Sequence, residues 1–402
     1  MHLNFIALAV PLFLLFMALE YRYALKKNRS VFHWRESIAN LNVGIAERLC
    51  DLLTSGSFFF VFVWIHRHYA LMDIQPTVLT WILLFLVTDL VWYWYHRFGH
   101  VVNLFWSAHV VHHQSEDFNY TVSARITVFQ SVLRGLFWSV LPLIGFPPHM
   151  ITLLLLIHGA YPFFTHTQLV GKLGWLEYVL VTPSHHRVHH SSNPEYLDKN
   201  YGDVLIIWDK LFGTFKAEDQ TPVYGLTQPL NSHSFLWQHF HFLMELCIAV
   251  KREPGLLNKI KLLFGKPDRV DASIRPVLER KFQRKKKPVS TPVSLLKAIS
   301  LQTAFTLAIL FFTILFSYHM QSLQLFIAAI FILLSVIATG AMLEQKQWVF
   351  PLEYIRLLLL CLFLCVTVPN KYVWLCSTGL LLVLLLYYQS LKSRYYALYP
   401  AS

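Results

Sequence analysis

Charge is scarce in this chain. Charged residues make up 14% of it, where a soluble globular domain carries about 25%. Hydrophobic residues make up 55% and aromatic residues 16%. Together these exclude an ordinary soluble domain and indicate an integral membrane protein. Acidic side chains are scarcer still, 22 Asp and Glu against 34 Lys and Arg, for a formal net charge of +12. Such an excess can serve nucleic-acid binding, but there is no long Arg-rich solvated arm. The basic residues lie beside apolar spans, where they set topology and meet the membrane surface. No nucleic-acid partner is expected. Cysteine is also sparse: Cys50, Cys247, Cys361, Cys365 and Cys376 include no CxxC pair and sit mostly in apolar runs. That pattern argues against disulfides and thiolate metal sites. The N-terminus has neither a basic leader nor a small-residue cleavage site, so the apolar stretch from Leu3 to Leu19 is read as a first membrane helix.

What is abundant is apolar sequence of membrane-spanning length, about 20 residues per span. The pattern predicts an all-α, polytopic fold of nine spans. They run roughly from Asn4 to Tyr23, Ile45 to Ile65, from Val78 to His96, 128–144, 149–165, 297–317, 322–342, 351–369 and 371–389. Pro147 and Pro148 mark the turn of the hairpin 128–165. Arg22, Lys26, Lys27, Arg29 and Arg35, the run Arg280, Lys281, Arg284, Lys285, Lys286 and Lys287, and Lys392 with Arg394 then all fall on one side, which the positive-inside tendency makes cytoplasmic. His66, Arg67 and His68 are a minor basic cluster on the opposite side. Two units are expected: residues 1–295, with a core at 78–215, and a C-terminal four-helix unit at 296–402. The stretch 234–250 is amphipathic, suited to the membrane interface or to a buried helix.

Histidine is unusually plentiful, 20 residues in all. Eight form three boxes: His96 and His100; His109, His112 and His113; His186, His189 and His190. Neutral imidazole is the commonest side-chain metal ligand, and spacings of three or four place side chains on one helix face. With no carboxylate inside the boxes the donors suit a transition metal rather than calcium or magnesium. Eight imidazoles exceed the four that a structural zinc needs, so the pattern points to two metal ions with open positions, best fitted by a di-iron centre for oxygen activation. His100 and His109 are nine residues apart, half a turn out of phase at about 100° per residue. The chain must therefore bend between Gly99 and Trp106, with Gly99 and Asn103 as candidate positions.

Further candidate groups surround the boxes. His166 is well placed for a ninth ligand. His185 points away from His189 if that stretch is helical, and His149 and His158 read as unrelated. Asp89 shares a helix face with His96 and His100 and is expected to orient His96 or another ligand by a hydrogen bond. Glu116, with Asp117, Asp198, Asp203 and Asp209 as further candidates, is expected to offset the charge of the metals; a solvated loop charge is the plainer reading of Asp117 and Asp209.

The stretches WYWYHRFGHVVNLFWSAHVVHHQSEDFNYTVSARITVFQS, THTQ and TPSHHRVHHSSNPEYLDKNYGDVLIIWDKLFGTF resemble the fatty acid hydroxylase superfamily, which includes sterol desaturases and hydroxylases. The resemblance extends over about 40–265 and is most specific across 90–215. It implies a non-haem di-iron membrane monooxygenase with the eight box histidines as ligands. It also implies a lipid substrate drawn from the bilayer and dioxygen as oxidant. Within the superfamily it is nearest to the ether-lipid oxygenases, which implies cleavage to a fatty aldehyde and glycerol with tetrahydrobiopterin as reductant. The site would face the cytoplasm, at the endoplasmic reticulum in a eukaryote or the inner membrane in a bacterium. Two other readings compete: a sterol, carotenoid or fatty-acid hydroxylase or desaturase, and a histidine-rich metal transporter. A transporter should hold its ligands near the bilayer midplane in broken helices, whereas these boxes follow the spans.

Overall fold

The computed structural model describes residues 3–283, 291–368 and 370–399. Arg284, Lys285, Lys286 and Lys287 of the basic run lie outside the described residues. Among the described residues regular structure is all helical. The extended pairings are two isolated antiparallel bridges, Leu180 with Leu205 and Ser191 with Tyr224.

The first three long helices follow the apolar pattern. α1 (Ala9–Lys26) exposes Leu12, Leu15 and Leu19, as a lipid-facing surface does, and buries Glu20. α2 (Trp34–Tyr69) is bent by 41° near its middle. α3 (Val78–Val101) starts at the Thr77–Thr80 capping box and carries Asp89, His96 and His100. The chain then breaks where the histidine phase requires it. Val102 is extended (φ −124°, ψ 119°), and α4 (Asn103–His109) begins at the next residue. Asn103 fixes the break: its backbone N–H donates to the Gly265 carbonyl, and its Nδ2 donates to the carbonyls of Leu262 and Lys266. A 3-10 turn (Val110–His113) and the short α5 (Tyr120–Ser123) follow.

The hairpin differs from expectation. Residues 128–165 form α6 (Gln130–Trp138), α7 (Val140–Ile144) and α8 (Pro148–Thr165). Gly145 ends α7 with φ +123°, where a Cβ would lie 2.0 Å from the Met72 carbonyl oxygen, so only glycine fits. The 15 residues from Gln130 to Ile144 reach about 22 Å at 1.5 Å per residue, short of a hydrocarbon core of about 30 Å. α8 is a continuous helix whose apolar run is diluted by His149, His158 and Pro162. Among the described residues five helices are long and apolar enough to cross a membrane, or seven if each bent pair is one span. The expected count of nine therefore falls by these two.

The loop after α8 contains α9 (Pro183–His189) and α10 (Ile207–Leu211). α11 (Phe235–Arg252), the amphipathic stretch, turns Trp237, Phe242 and Leu246 onto Val110 and Val111, with α12 (Leu256–Leu263) and α13 (Ile274–Phe282) completing that core. The C-terminal helices are α14 (Val293–Leu315), α15 (Ser322–Leu343), α16 (Val349–Thr367), α17 (Lys371–Leu386) and α18 (Tyr388–Tyr396). α15 is the most apolar of these candidate spans and about two-thirds of its most apolar stretch is buried. Its Phe331, Ile332 and Val336 pack with Ile45, Ala46 and Leu49 of α2 and with Leu310 and Ile314 of α14. These contacts make α15 a central helix of the molecule.

Candidate metal centre

The boxes converge from four short pieces: the end of α3, α4 with its 3-10 turn, the end of α8, and α9. They sort into two adjacent groups. His96, His100, His109, His113 and His189 bring five ring nitrogens within 4.8 Å of one another, and His112, His166, His186 and His190 bring four within the same limit. The sorting follows helix geometry rather than the boxes. In each H-x-x-H-H run the pair four residues apart shares a face. His109 and His113 thus face the first group while His112 faces the second; His186 and His190 face the second while His189 crosses to the first. The groups share a wall, with the His113 and His190 rings stacked at 4.4 Å between centroids.

Eight of these nine residues are buried and His100 is half-buried. Several hold one nitrogen against a backbone carbonyl: His96 Nδ1 on Tyr201 (2.9 Å), His112 Nδ1 on Arg125 (3.0 Å), His166 Nδ1 on Pro162 (2.6 Å) and His189 Nδ1 on Lys199 (2.9 Å). Such contacts fix the tautomer and direct Nε2 toward the group's centre, as metal-binding imidazoles require. The inner nitrogens of His100, His189 and His190 are buried without a hydrogen-bond partner. Others face one another, His113 Nε2 to His109 Nε2 at 3.1 Å and His186 Nε2 to His166 Nε2 at 3.0 Å. Nitrogens aimed at nitrogens and left unpaired in a dry interior are costly unless a cation joins them. The donor set fits a metal ion in each group. Burial, with the neighbouring imidazoles adding to it, holds His109, His113, His186, His189 and His190 well below the ordinary histidine range. They are therefore neutral and free to bind metal at neutral pH.

The remaining expected residues fall outside the two groups. His185 caps α9, its Nδ1 accepting from the Thr182 N–H at 3.3 Å. His149 is exposed. Glu116 points to the exterior, because the turn after His113 buries its neighbours Ser115 and Asp117 and leaves it outside. Its expected place beside the metals is corrected accordingly. Asp117 is buried and pairs with His33, through both its backbone N–H and its Nδ1. Asp198 is exposed, in the left-handed region at φ 57°. Asp89 makes no hydrogen bond to His96. It accepts from the backbone of Val204 and Leu205 and from Trp208 Nε1, because the 199–209 loop lies between it and the histidines. Asp209, weighed as a solvated charge, is fully buried, accepting from the N–H groups of Tyr201 and Gly202 and from the Thr214 hydroxyl. His158 is no isolated residue: with Asp89 and Asp203 it forms a third, fully buried cluster, its Nδ1 2.7 Å from Asp203 Oδ2.

Two bracing residues were not foreseen. Arg125 is buried and donates to the Val111 carbonyl, to Asn40 Oδ1 and to Gln114 Oε1, clamping the turn that bears His112 and His113. Glu20 of α1 accepts from Thr167, next to His166, and from the Tyr120 N–H. An acid within an apolar span was the available signal for Glu20; nothing local distinguishes Arg125 from a surface arginine.

Comparison with known proteins is consistent with this geometry. The fatty acid hydroxylase family profile matches residues 81–214, the stretch that contains all nine histidines. Human alkylglycerol monooxygenase is 32% identical over 363 residues, 89% of this chain and 81% of the relative. The alkylglycerol monooxygenase of Danio rerio is 32% identical over 334 residues, 81% of this chain and 74% of the relative. An ornithine lipid hydroxylase of Rhizobium tropici is 26% identical over 151 residues, 37% and 45% of the two chains. No solved structure matches.

Proposed function

The chain belongs to the fatty acid hydroxylase family, alongside the alkylglycerol monooxygenases, and we propose that it is a di-iron enzyme that cleaves the ether bond of alkylglycerols. The coarser function is established: it is a multi-pass membrane protein and a lipid monooxygenase. The observation that carries the finer reading is the pair of adjacent, buried imidazole groups of five and four nitrogens, whose chemistry suits two transition metals rather than one structural ion. His96, His100, His109, His113 and His189 would hold one iron, and His112, His166, His186 and His190 the other.

Bound iron would supply the activation of dioxygen for attack on the C–H bond beside the ether oxygen. The chain's own residues hold the imidazoles neutral, orient them through backbone carbonyls, and seal them from water. The net reaction inserts one oxygen atom into the C–H bond beside the ether oxygen and reduces the other to water with two electrons and two protons. The resulting hemiacetal loses glycerol to leave a fatty aldehyde. Tetrahydrobiopterin is proposed as the electron donor by analogy with the family. Residues 1–295 would form the catalytic unit and 296–402 the appended membrane unit, with the histidines on the cytoplasmic side. A hairpin that does not cross returns the chain to the side it left, so the lower span count leaves the Lys and Arg argument intact.

The test is to purify the protein, count iron, and assay an alkylglycerol with dioxygen and tetrahydrobiopterin. Two irons per chain and aldehyde release, both altered in His113→Ala, support the reading. Two irons with turnover of an ornithine lipid or a sterol alone would reassign the substrate. Metal flux in vesicles with no redox metal bound would overturn the enzyme reading.

A further inference from the structure

The carboxylates of two membrane-spanning helices reach the two histidine groups separately, and neither touches a histidine of either group. Asp89, seven residues before His96 on α3, is fully buried. Its Oδ1 accepts from Val204 N–H (3.0 Å), and its Oδ2 from Leu205 N–H (3.1 Å) and Trp208 Nε1 (2.9 Å). The same loop carries Asp203, which pairs with His158 of α8 at 2.7 Å. The loop is thus pinned at 203–208 to α3 and α8. Just before the pins, its Lys199 and Tyr201 carbonyls, each at 2.9 Å, hold His189 and His96. Both histidines belong to the five-nitrogen group.

Glu20 of α1 does the corresponding work on the other side. It accepts from Thr167 Oγ1 at 2.5 Å and from the Tyr120 N–H at 2.7 Å. Thr167 follows His166 directly, and two residues before Tyr120 is Phe118, whose ring stacks on His166 at 5.5 Å. His166 belongs to the four-nitrogen group. An acid in an apolar span is expensive and persists where it has a specific partner. Here Asp89 holds the loop whose carbonyls receive His96 and His189, and Glu20 ties the residue after His166 to the start of α5.

We propose that Asp89 and Glu20 are positioning residues, each setting the metal affinity and electronic state of one site and not the other. The inference rests on the two-iron reading above. Outer partners of metal ligands typically control affinity by about 10- to 100-fold. Because the loops are anchored to different helices, a fault in one anchor should stay with its own site.

The experiment uses the full-length protein in detergent, loaded with isotopically enriched ferrous iron, with iron counted and the two sites read as separate Mössbauer signals. His109→Ala and His186→Ala assign the signals. Asp89→Asn should shift the five-histidine signal and weaken iron binding there by about 10- to 100-fold, leaving the other signal in place. Glu20→Gln should do the reverse. If either variant fails to fold, Trp208→Phe and Thr167→Val carry the test: each removes one donor to the carboxylate, keeps the acid, and should give a smaller shift confined to the same site. Both signals moving together, or neither moving while two irons remain bound, overturns this inference alone. A wild-type count of one iron overturns the two-iron reading and this inference with it.

Discussion

His112 and His113 are adjacent in sequence but face different groups, so their replacements should differ in kind. His113→Ala is expected to cost the five-histidine site its iron and His112→Ala the four-histidine site its own. Each single variant would leave about one iron per chain on the proposed occupancy, and His185→Ala would keep both; iron analysis beside spectroscopy distinguishes the three. Outside the groups, His241 of α11 is fully buried, and burial, with Arg275 adding to it, pushes its pKa down to about 3. A histidine whose folded pKa lies below its unfolded value near 6.5 binds its proton only on unfolding. Stability is therefore lost as pH falls from about 6.5 toward 3, at up to about 1.4 kcal/mol per pH unit for one such group. His241→Phe should remove that group's share, so the Tm gap between wild type and variant should change steadily in the variant's favour from pH 6.5 to 4. At this scale the sequence was most legible where the signal was a spacing. The boxes and His166 were named from H-x-x-H-H and from following a span. Glu116 and Asp117 are read from sequence the opposite way round to their burial, because which of two adjacent acids faces inward depends on a turn that spacing does not specify.

The break between α3 and α4 was legible because the phase of His100 and His109 admits no straight helix. What holds the break was not legible, since the carbonyls that receive Asn103 come from Leu262 and Lys266, about 160 residues downstream. Asn103→Ala removes both side-chain bonds, while the Leu262 and Lys266 carbonyls keep the Gly265 and Arg269 N–H groups as donors, so the loss is about 0.5–1.5 kcal/mol per bond. A Tm lowered accordingly in detergent, together with weaker iron binding at the five-histidine site, would show that the angle between α3 and α4 is held from α12. An unchanged Tm would show that Val102 and Gly99 suffice. The hairpin gives the opposite lesson. Its apolar composition predicts two spans, but hydropathy reads composition more readily than length. The breaks at Ser139 and Gly145 divide one candidate span into helices of nine and five residues.

At the scale of the whole molecule, the nine histidines of the two groups all lie in the first 295 residues, yet the core that supports them does not end there. α15 buries Phe331, Ile332 and Val336 against α2. The Val336 carbonyl accepts from Asn42 Nδ2 at 2.7 Å, and Asn40, two residues earlier on α2, bonds Arg125 of the histidine-bearing turn. Gly340 approaches so closely that a Cβ would lie 2.7 Å from the Phe235 backbone nitrogen at the start of α11. Removing the last helices would therefore expose the inner face of α2 and loosen the far side of the metal centre. A chain ending at residue 292 is expected to lose iron binding and to aggregate on extraction, and co-expression with a 293–402 fragment is expected to restore it; the readouts are size-exclusion behaviour and iron per chain. Recovery of full iron content in the short chain alone would show the C-terminal helices to be an appendage. Replacing Gly340 by leucine tests the same contact without deleting anything: the side chain meets backbone rather than a flexible tip, so α15 must shift away from α11. If the packing of α15 supports the histidine-bearing turn through α2, this one substitution, made far in sequence from every histidine of the two groups, should lower both Tm and iron content.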